Sequence, residues 1–173
     1  FDEKQTSVSN VRMTINNVGT FGNAFRGSYD VLGYSSAEFP ANTGIEHLFE
    51  GGIWVGGKVN GSLIAVSTAA YDQTAGYSAG RAGYEFTAEI GGQFIERSSL
   101  IDNPSYSVEA VSHQDFIGDF SDRNVLVPGT QIQISNHDNP MEIDIHMESY
   151  NWNYAFSDFM LICNYELTNT GNN

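Results

Sequence analysis

Basic side chains are scarce in this chain, and their scarcity restricts the partners that it can have. The 173 residues include 7 Lys and Arg against 21 Asp and Glu, which gives a formal net charge of −14. Nucleic acid and anionic lipid surfaces are themselves negative and would repel such a chain. We therefore expect no nucleic acid among its partners. Acidity of this kind is common in soluble secreted proteins and also suits calcium-containing surroundings.

Cysteine is nearly absent, which excludes two kinds of site. Cys163 is the only cysteine, so the chain can form no internal disulfide and no zinc site built from several thiolates. It lies in the apolar, strand-like segment 159–165. This setting favours a buried structural thiol over a reactive thiolate, which would need a histidine nearby.

Apolar runs long enough to cross a bilayer are missing as well. None approaches the roughly 20 residues that a transmembrane helix needs, so we expect no membrane insertion. The chain starts at Phe1 and shows no signal peptide. We interpret it as a processed or excised piece from which an export signal could have been removed.

Helical periodicity is also lacking, and short alternating segments take its place. No stretch of about 12 residues repeats apolar side chains at helical spacing, whereas segments such as 11–18 and 130–135 alternate apolar and polar residues. This pattern predicts an all-β fold with little helix, an antiparallel β-sandwich of immunoglobulin-like or jelly-roll-like type. We expect residues 1–173 to form a single module, the N-terminal part of a larger protein. Further strands are predicted over 84–90, 94–95, 141–152 and 159–168, and a strand followed by one helical turn over 107–117.

The clearest local signal is the dipeptide Asn60-Gly61 between two apolar runs. Both residues tolerate the positive φ of a two-residue type I′ turn, so a β-hairpin is predicted with Val55 opposite Val66. We interpret this hairpin as the central strand pair of the sandwich. Glycines beside an aromatic residue let another backbone or ring pack closely. A docking interface is therefore predicted at Trp54, Gly56 and Gly57.

The best candidate for a metal site is the acidic segment 115–124. Three carboxylates and an amide within ten residues could supply the oxygen ligands that Ca²⁺ prefers, although the spacing differs from an EF-hand loop. The alternative is a solvated acidic loop without metal. No cofactor is expected apart from this structural calcium, whose candidate ligands are Asp115, Asp119, Asp122 and Asn124.

A second candidate site is aromatic. Tyr150, Trp152 and Tyr154 alternate with two asparagines, which in a strand would place the three rings on one side. Flat rings flanked by amides can bind sugars, since the rings stack on apolar sugar faces and the amides bond hydroxyls. The alternative is that these rings pack in the core or against another module.

The residues usually found in catalytic sites form no recognisable pattern. His47, His113, His137 and His146 show no metal-binding spacing, and there is no G-x-S-x-G motif. No two of the 21 acids are marked as a catalytic pair. We therefore predict a non-enzymatic protein with no catalytic residues.

Four segments carry a resemblance to a known group of proteins: Val11–Asn23, Leu48–Gly57, Ser112–Phe116 and Asp158–Gly171. Together they resemble the N-terminal region of large secreted surface proteins of Bacteroidetes-like bacteria, which carry β-sandwich modules and are sorted by the type IX secretion system. The resemblance implies a secreted, cell-surface location and supplies no catalytic residues.

Two functions follow as hypotheses from these observations. The first is an extracellular structural module that assembles with itself, or packs against further domains of the same parent protein, through open strand edges. The second is a carbohydrate-binding module that uses the aromatic residues near Trp152.

Overall fold

The architecture comes from a computed structural model that describes residues 1–23, 32–70 and 79–171. The described residues contain strands and no helix, so none of them forms a helix able to span a membrane. The strands are β1 (Glu3–Gln5), β2 (Arg12–Asn16), β3 (Thr20–Gly22), β4 (Ala37–Glu38), β5 (Glu50–Gly52), β6 (Trp54–Val59), β7 (Leu63–Thr68), β8 (Ile95–Arg97), β9 (Gln114–Ser121), β10 (Ile143–Asn151) and β11 (Ile162–Asn169).

These strands form three antiparallel sheets. A 5-stranded sheet has the order β1-β2-β3-β5, with β4 also paired to β2, and a 4-stranded sheet has the order β11-β10-β9-β8. A core cluster joins the two sheets: Ile15 of β2 packs with Phe116 and Phe120 of β9 and with Ile145 of β10. The predicted all-β, sandwich-like class is confirmed.

Alternation along β9 and β10 gives the 4-stranded sheet a core face and an outward face; the outward face is half-buried along β10, and on β9 only Asp119 is exposed. Phe116, Phe120, Ile145 and Met147 point into the core and are nearly inaccessible to solvent. The residues between them point outward and are mainly charged, as the period of two in a strand requires. Met147 lies opposite Gly118, where a side chain would collide with the ring of Phe94.

The predicted hairpin exists, but its strands are shifted by one residue. Asn60 and Gly61 adopt φ values of 51° and 74°, and Ser62 donates its N–H to the carbonyl of Val59 at 3.4 Å, as a type I′ turn requires. Val59 then lies opposite Leu63 instead of Ser62. One additional residue therefore enters the loop, and every pair beyond it differs from the prediction.

This shift changes which side chains share a face of the hairpin. Trp54, Ile64 and Val66 share the outer face, where Ile64 is 75% exposed. Val55 packs against the core from the other face. The hairpin forms a separate 2-stranded sheet, β6-β7, so the prediction of a central strand pair is wrong.

Three further strand predictions also fail. Residues 107–113 form turns, and the strand begins at Gln114 and continues through the acidic segment. Residues 84–90 and 130–135 make isolated bridges, Thr87 with Ser121 and Gln133 with Leu126. Residues 84–88 are nevertheless buried, so the alternating apolar residues there indicated packing against the core without a regular strand.

Candidate functional site

Strand β11 forms one edge of the 4-stranded sheet and is the longest exposed edge in the described residues. It is paired over its full length with β10 on one side. On its other side no described residue donates or accepts a backbone hydrogen bond. The edge strands β1, β5 and β8 have 3 residues each and the two strands of the hairpin, β6 and β7, have 6 each, whereas β11 has 8.

The bond that follows β11 shows which of its backbone groups point away from β10. Thr170 donates its N–H to the carbonyl of Glu142 at 2.9 Å. In an antiparallel ladder, bonded and non-bonded pairs alternate along the strand. Even-numbered residues of β11 therefore bond to β10, and odd-numbered residues direct their N–H and C=O groups to the open edge. These outward residues are Cys163, Tyr165, Leu167 and Asn169.

The core-facing side of β11 is only partly covered. Cys163 and Tyr165 are half-buried, and Leu167 remains 46% exposed although it lies opposite the buried Ile145. Burial raises the pKa of the Cys163 thiol to about 11, so the thiol stays protonated and unreactive at neutral pH. Burial likewise raises the pKa of Tyr165. The inner face thus continues as apolar surface up to the free edge.

The outward face next to this edge carries a row of charged residues. Asp119, His146 and Glu166 lie directly opposite one another on β9, β10 and β11. His146 Nδ1 is 2.7 Å from an Asp119 carboxylate oxygen, and its Nε2 is 3.4 Å from Glu148. The hydrogen bond to Asp119, followed by Glu148, raises the pKa of His146.

Neighbouring acids make this face a negative groove. The groove encloses about 580 Å³ and is lined by four carboxylates, from Glu89, Asp119, Asp144 and Glu166. Arg123, the cation in its lining besides His146, is paired with Asp144. Acidic groups therefore outnumber basic ones beside β11.

Glu148 and Tyr150 continue the outward face toward the other end of β10. The Tyr150 hydroxyl donates a hydrogen bond to Glu148. This bond, with a smaller contribution from His146, holds the pKa of Glu148 below its usual range. The same bond raises the pKa of Tyr150 to about 12.

The first two residues predicted as calcium ligands are far apart. Asp115 is buried and accepts backbone N–H groups from Val111 at 2.7 Å and from Ser112 at 2.8 Å. Asp119 lies on the exposed face beside His146. Four extended residues separate the two acids by roughly 13 Å, so they do not share an ion.

The other two predicted calcium ligands bond within the fold. Asp122 has no exposed surface. Its carboxylate accepts bonds from the Ser67 hydroxyl at 2.7 Å and from the backbone N–H groups of Met141 and Ile143 at 3.0 and 2.7 Å. Asn124 donates to the Thr87 hydroxyl. The described residues contain no group of three or more His, Cys, Asp or Glu that could hold a metal ion, so the predicted calcium ligand set is not assembled.

The three rings of the predicted aromatic site do not lie on one face of a strand, because β10 ends at Asn151. The rings of Tyr150 and Trp152 lie 6.2 Å apart. Tyr154 lies beyond the strand, where its ring contacts His113 at 4.6 Å and stacks on Phe156 at 5.4 Å and 10°. Phe156, which the sequence prediction did not include, is 73% exposed.

The three residues predicted as an interface fall on two faces of the hairpin. Trp54 and Gly56 share the outer face, where a Cβ added at Gly56 would make ordinary van der Waals contacts at 3.8 Å. Gly57 lies on the inner face, where an added Cβ would meet the Met141 sulfur at 3.3 Å. Gly57 is thus explained by packing within the chain.

Sequence reasoning missed the charged row on the outward face. Asp119, His146 and Glu166 are separated by more than 18 residues in sequence and become neighbours only through the register of β9, β10 and β11. Alternation in 141–152 and 159–168 indicated two strands. The alternation within a strand does not show which other strand it pairs with or in which register.

Comparisons with protein-family models, with curated proteins and with solved structures found no match for this chain. The function is therefore inferred from the geometry of β11 and its surroundings.

Proposed function

We propose that this chain is a non-enzymatic structural module of a secreted, surface-associated protein, and that it joins a neighbouring strand through β11. The observation that carries the proposal is the open edge of this 8-residue strand. Four residues direct backbone donors and acceptors outward along it, and none of the residues that the structure describes pairs with them. Such an edge is a template for strand addition.

The composition of β11 supports this role. Proteins that keep an edge strand unpaired usually protect it with lysine, proline, a bulge or very short length. The sequence from Ile162 to Asn169 contains neither lysine nor proline, and its register with β10 is unbroken. The half-covered apolar side chains of Tyr165 and Leu167 would be buried by one more strand.

The proposed location is extracellular. It is supported by the resemblance of four segments to secreted surface proteins and by the net charge of −14, which suits a soluble exported chain. The module is proposed to span residues 1–173 and to pack, through this edge, with further segments of its parent protein or with another copy.

Amide hydrogen exchange of the full chain tests the edge directly. In dilute solution the outward amides of Tyr165 and Leu167 should exchange quickly, whereas the inward amides of Asn164 and Glu166 should be protected. An extended neutral peptide of alternating Val and Thr should then protect the outward amides by adding a strand. Protection of the outward amides in the dilute chain alone, or no effect of the peptide, would overturn the proposal.

A proline variant separates strand addition from loss of a side chain. Leu167→Pro removes an N–H that β10 does not use, so the fold should persist while the peptide no longer binds. Leu167→Thr removes the same apolar side chain but keeps the N–H, and it should still bind the peptide. Equal binding by both variants would contradict pairing through this edge.

A second candidate function is carbohydrate binding at the aromatic surface. The observation that favours it is the exposed, stacked pair Tyr154 and Phe156 beyond Trp152 and the exposed amide of Asn153. A ring face and an amide could bind a sugar together.

A glycan array followed by titration tests this second function. If it holds, Trp152→Ala and Phe156→Ala should each weaken binding about tenfold or more, while Tyr106→Ala, which removes an exposed ring elsewhere, should not. Absence of any bound glycan would rule this function out.

A further inference from the structure

We infer that the strand which pairs with β11 is basic on its outward face and apolar on its inward face. The inference rests on the proposed function, because it names the chemistry of the partner at the same edge. Its occupant is an extended segment in which Lys or Arg alternates with apolar residues.

The outward face requires positive charge at a defined position. Asp119, His146 and Glu166 form a row across β9, β10 and β11, and the next position in that row belongs to the added strand. The backbone of Glu166 bonds to β10, but its carboxylate has no hydrogen-bond or ion-pair partner in the described residues. Directly opposed residues with opposite charges stabilise an antiparallel pair, and like charges destabilise it. Lys or Arg opposite Glu166 would continue the alternation of sign.

The adjacent row adds to this requirement. Asp144 lies opposite Thr168, and Thr168 is short and uncharged. A long basic side chain beside Thr168 could reach over it toward the negative groove, which Glu89 and Asp119 also line. An acidic side chain in the same place would be repelled.

The inward face requires apolar residues. Cys163, Tyr165 and Leu167 point toward the core side and are incompletely covered. Residues placed opposite them would extend the inner surface that Ile145 and Met147 begin. Apolar side chains gain most there, since burial of apolar area is the main favourable term.

Charge also argues against a second copy as the occupant. The strand from Ile162 to Asn169 has Glu166 and no basic residue. An antiparallel pair of two such strands would bring two acidic faces together, and each copy has a net charge of −14. A basic segment removes this repulsion.

Three extended peptides of equal length test the inference with the full chain. They share alternating valines and differ in the intervening residue, which is Thr, Lys or Glu. Protection of the Tyr165 and Leu167 amides is measured as a function of peptide concentration. We expect the Lys peptide to bind roughly two- to five-fold more tightly than the Thr peptide for each Lys that faces Glu166, and the Glu peptide to bind more weakly. High salt should reduce the difference.

Charge reversal on the chain gives the reciprocal test. Glu166→Lys should invert the order of peptide affinities, so that the Glu peptide binds best. Asp102→Lys reverses a charge in the same way on an exposed loop away from β11, and it should leave the order of affinities unchanged. Equal binding of the Lys and Glu peptides would overturn the inference but leave edge pairing intact, provided the Thr peptide binds. Protection that rises with chain concentration alone would identify a second copy and would also overturn it. Failure of all three peptides would overturn the proposed function itself.

Discussion

The strand pairs β6–β7 and β9–β10 differ in what brings their strands together: a local turn in the first and packing of distant segments in the second. The loop between β6 and β7 is short, and Asn60 and Gly61 supply its two positive φ values. β9 and β10 are separated by residues 122–142, so no tight turn joins them. Yet β6–β7 is a separate 2-stranded sheet with an exposed outer face, whereas β9–β10 lies at the centre of the core. A strong local turn signal therefore identifies neighbours in sequence and does not identify the core.

Apolar content alone would have predicted that β6–β7 is the buried strand pair and β9–β10 the exposed one, which is the reverse of the structure. The hairpin carries Ile64 and Val66 on its exposed face, while β9 runs through the acidic segment that was predicted as a metal-binding or solvated loop. Alternation explains the difference. Phe116 and Phe120 point inward on β9, whereas Asp119 points outward and is the one exposed residue of the strand, so a central strand can carry a charged residue on its outward face.

The largest expected effect comes from the side chain that connects the two strand pairs. Asp122 accepts the Ser67 hydroxyl of β7 and the backbone N–H of Ile143 at the start of β10. In Asp122→Asn, one accepting oxygen becomes a donor that faces buried donors. We expect the free energy of unfolding to fall by about 2–4 kcal/mol, measured by urea denaturation without added metal ions.

The matched control is Asp119→Asn, the same substitution three residues earlier in the acidic segment, at a side chain that is 77% exposed. Its loss should stay below about 1 kcal/mol, because exposed ion pairs contribute little. Equal losses for the two variants would show that Asp122 does not connect the strand pairs as described.

A smaller effect is expected at the hairpin turn. Gly61→Ala places a Cβ at a φ of 74°, where nothing contacts it but the backbone conformation is strained. We expect a loss of about 1 kcal/mol in the free energy of unfolding. Gly56→Ala, in the adjoining strand, adds a Cβ whose nearest neighbours lie at an ordinary contact distance of 3.8 Å, and it should be neutral or slightly stabilising. A Gly61→Ala variant as stable as the parent would mean that the turn is not type I′.

The smallest expected effect depends on pH and concerns the outward face of β9–β10. Because the pKa of His146 is raised in the folded chain, its protonated form stabilises the fold fully below the unfolded pKa of about 6.5. The contribution disappears as pH rises through the folded pKa. The lowered pKa of Glu148 keeps that carboxylate ionised, and its contribution is lost as pH falls through the lowered value.

His146→Gln should therefore cost stability at pH 5.5 and almost none at pH 9. With the imidazole side chain 40% exposed, the expected loss at pH 5.5 is about 0.3–0.8 kcal/mol. Denaturation at both pH values measures it, and the same substitution in an Asp119→Asn background should show a smaller pH dependence. A loss that is equal at both pH values would contradict an ionic role for His146.

Part of the candidate site was predictable and part was not. Alternation in 141–152 and 159–168 predicted β10 and β11. The aromatic set was predicted from a strand that continues past Asn151, but β10 ends there, so Tyr154 turns toward His113 and Phe156. The calcium ligand set failed because proximity in sequence was read as proximity in space, whereas an extended strand separates Asp115 from Asp119.

The sequence by itself determined the all-β class, the type I′ turn at Asn60-Gly61 and the two long strands near the end of the chain. These features depend on local φ preferences and on side-chain alternation, which are properties of short segments. Only the tertiary structure decided the one-residue shift in the hairpin, the burial of Asp122 and the row formed by Asp119, His146 and Glu166. Those features depend on which distant strands pair and in which register, and register is set by packing across the whole core.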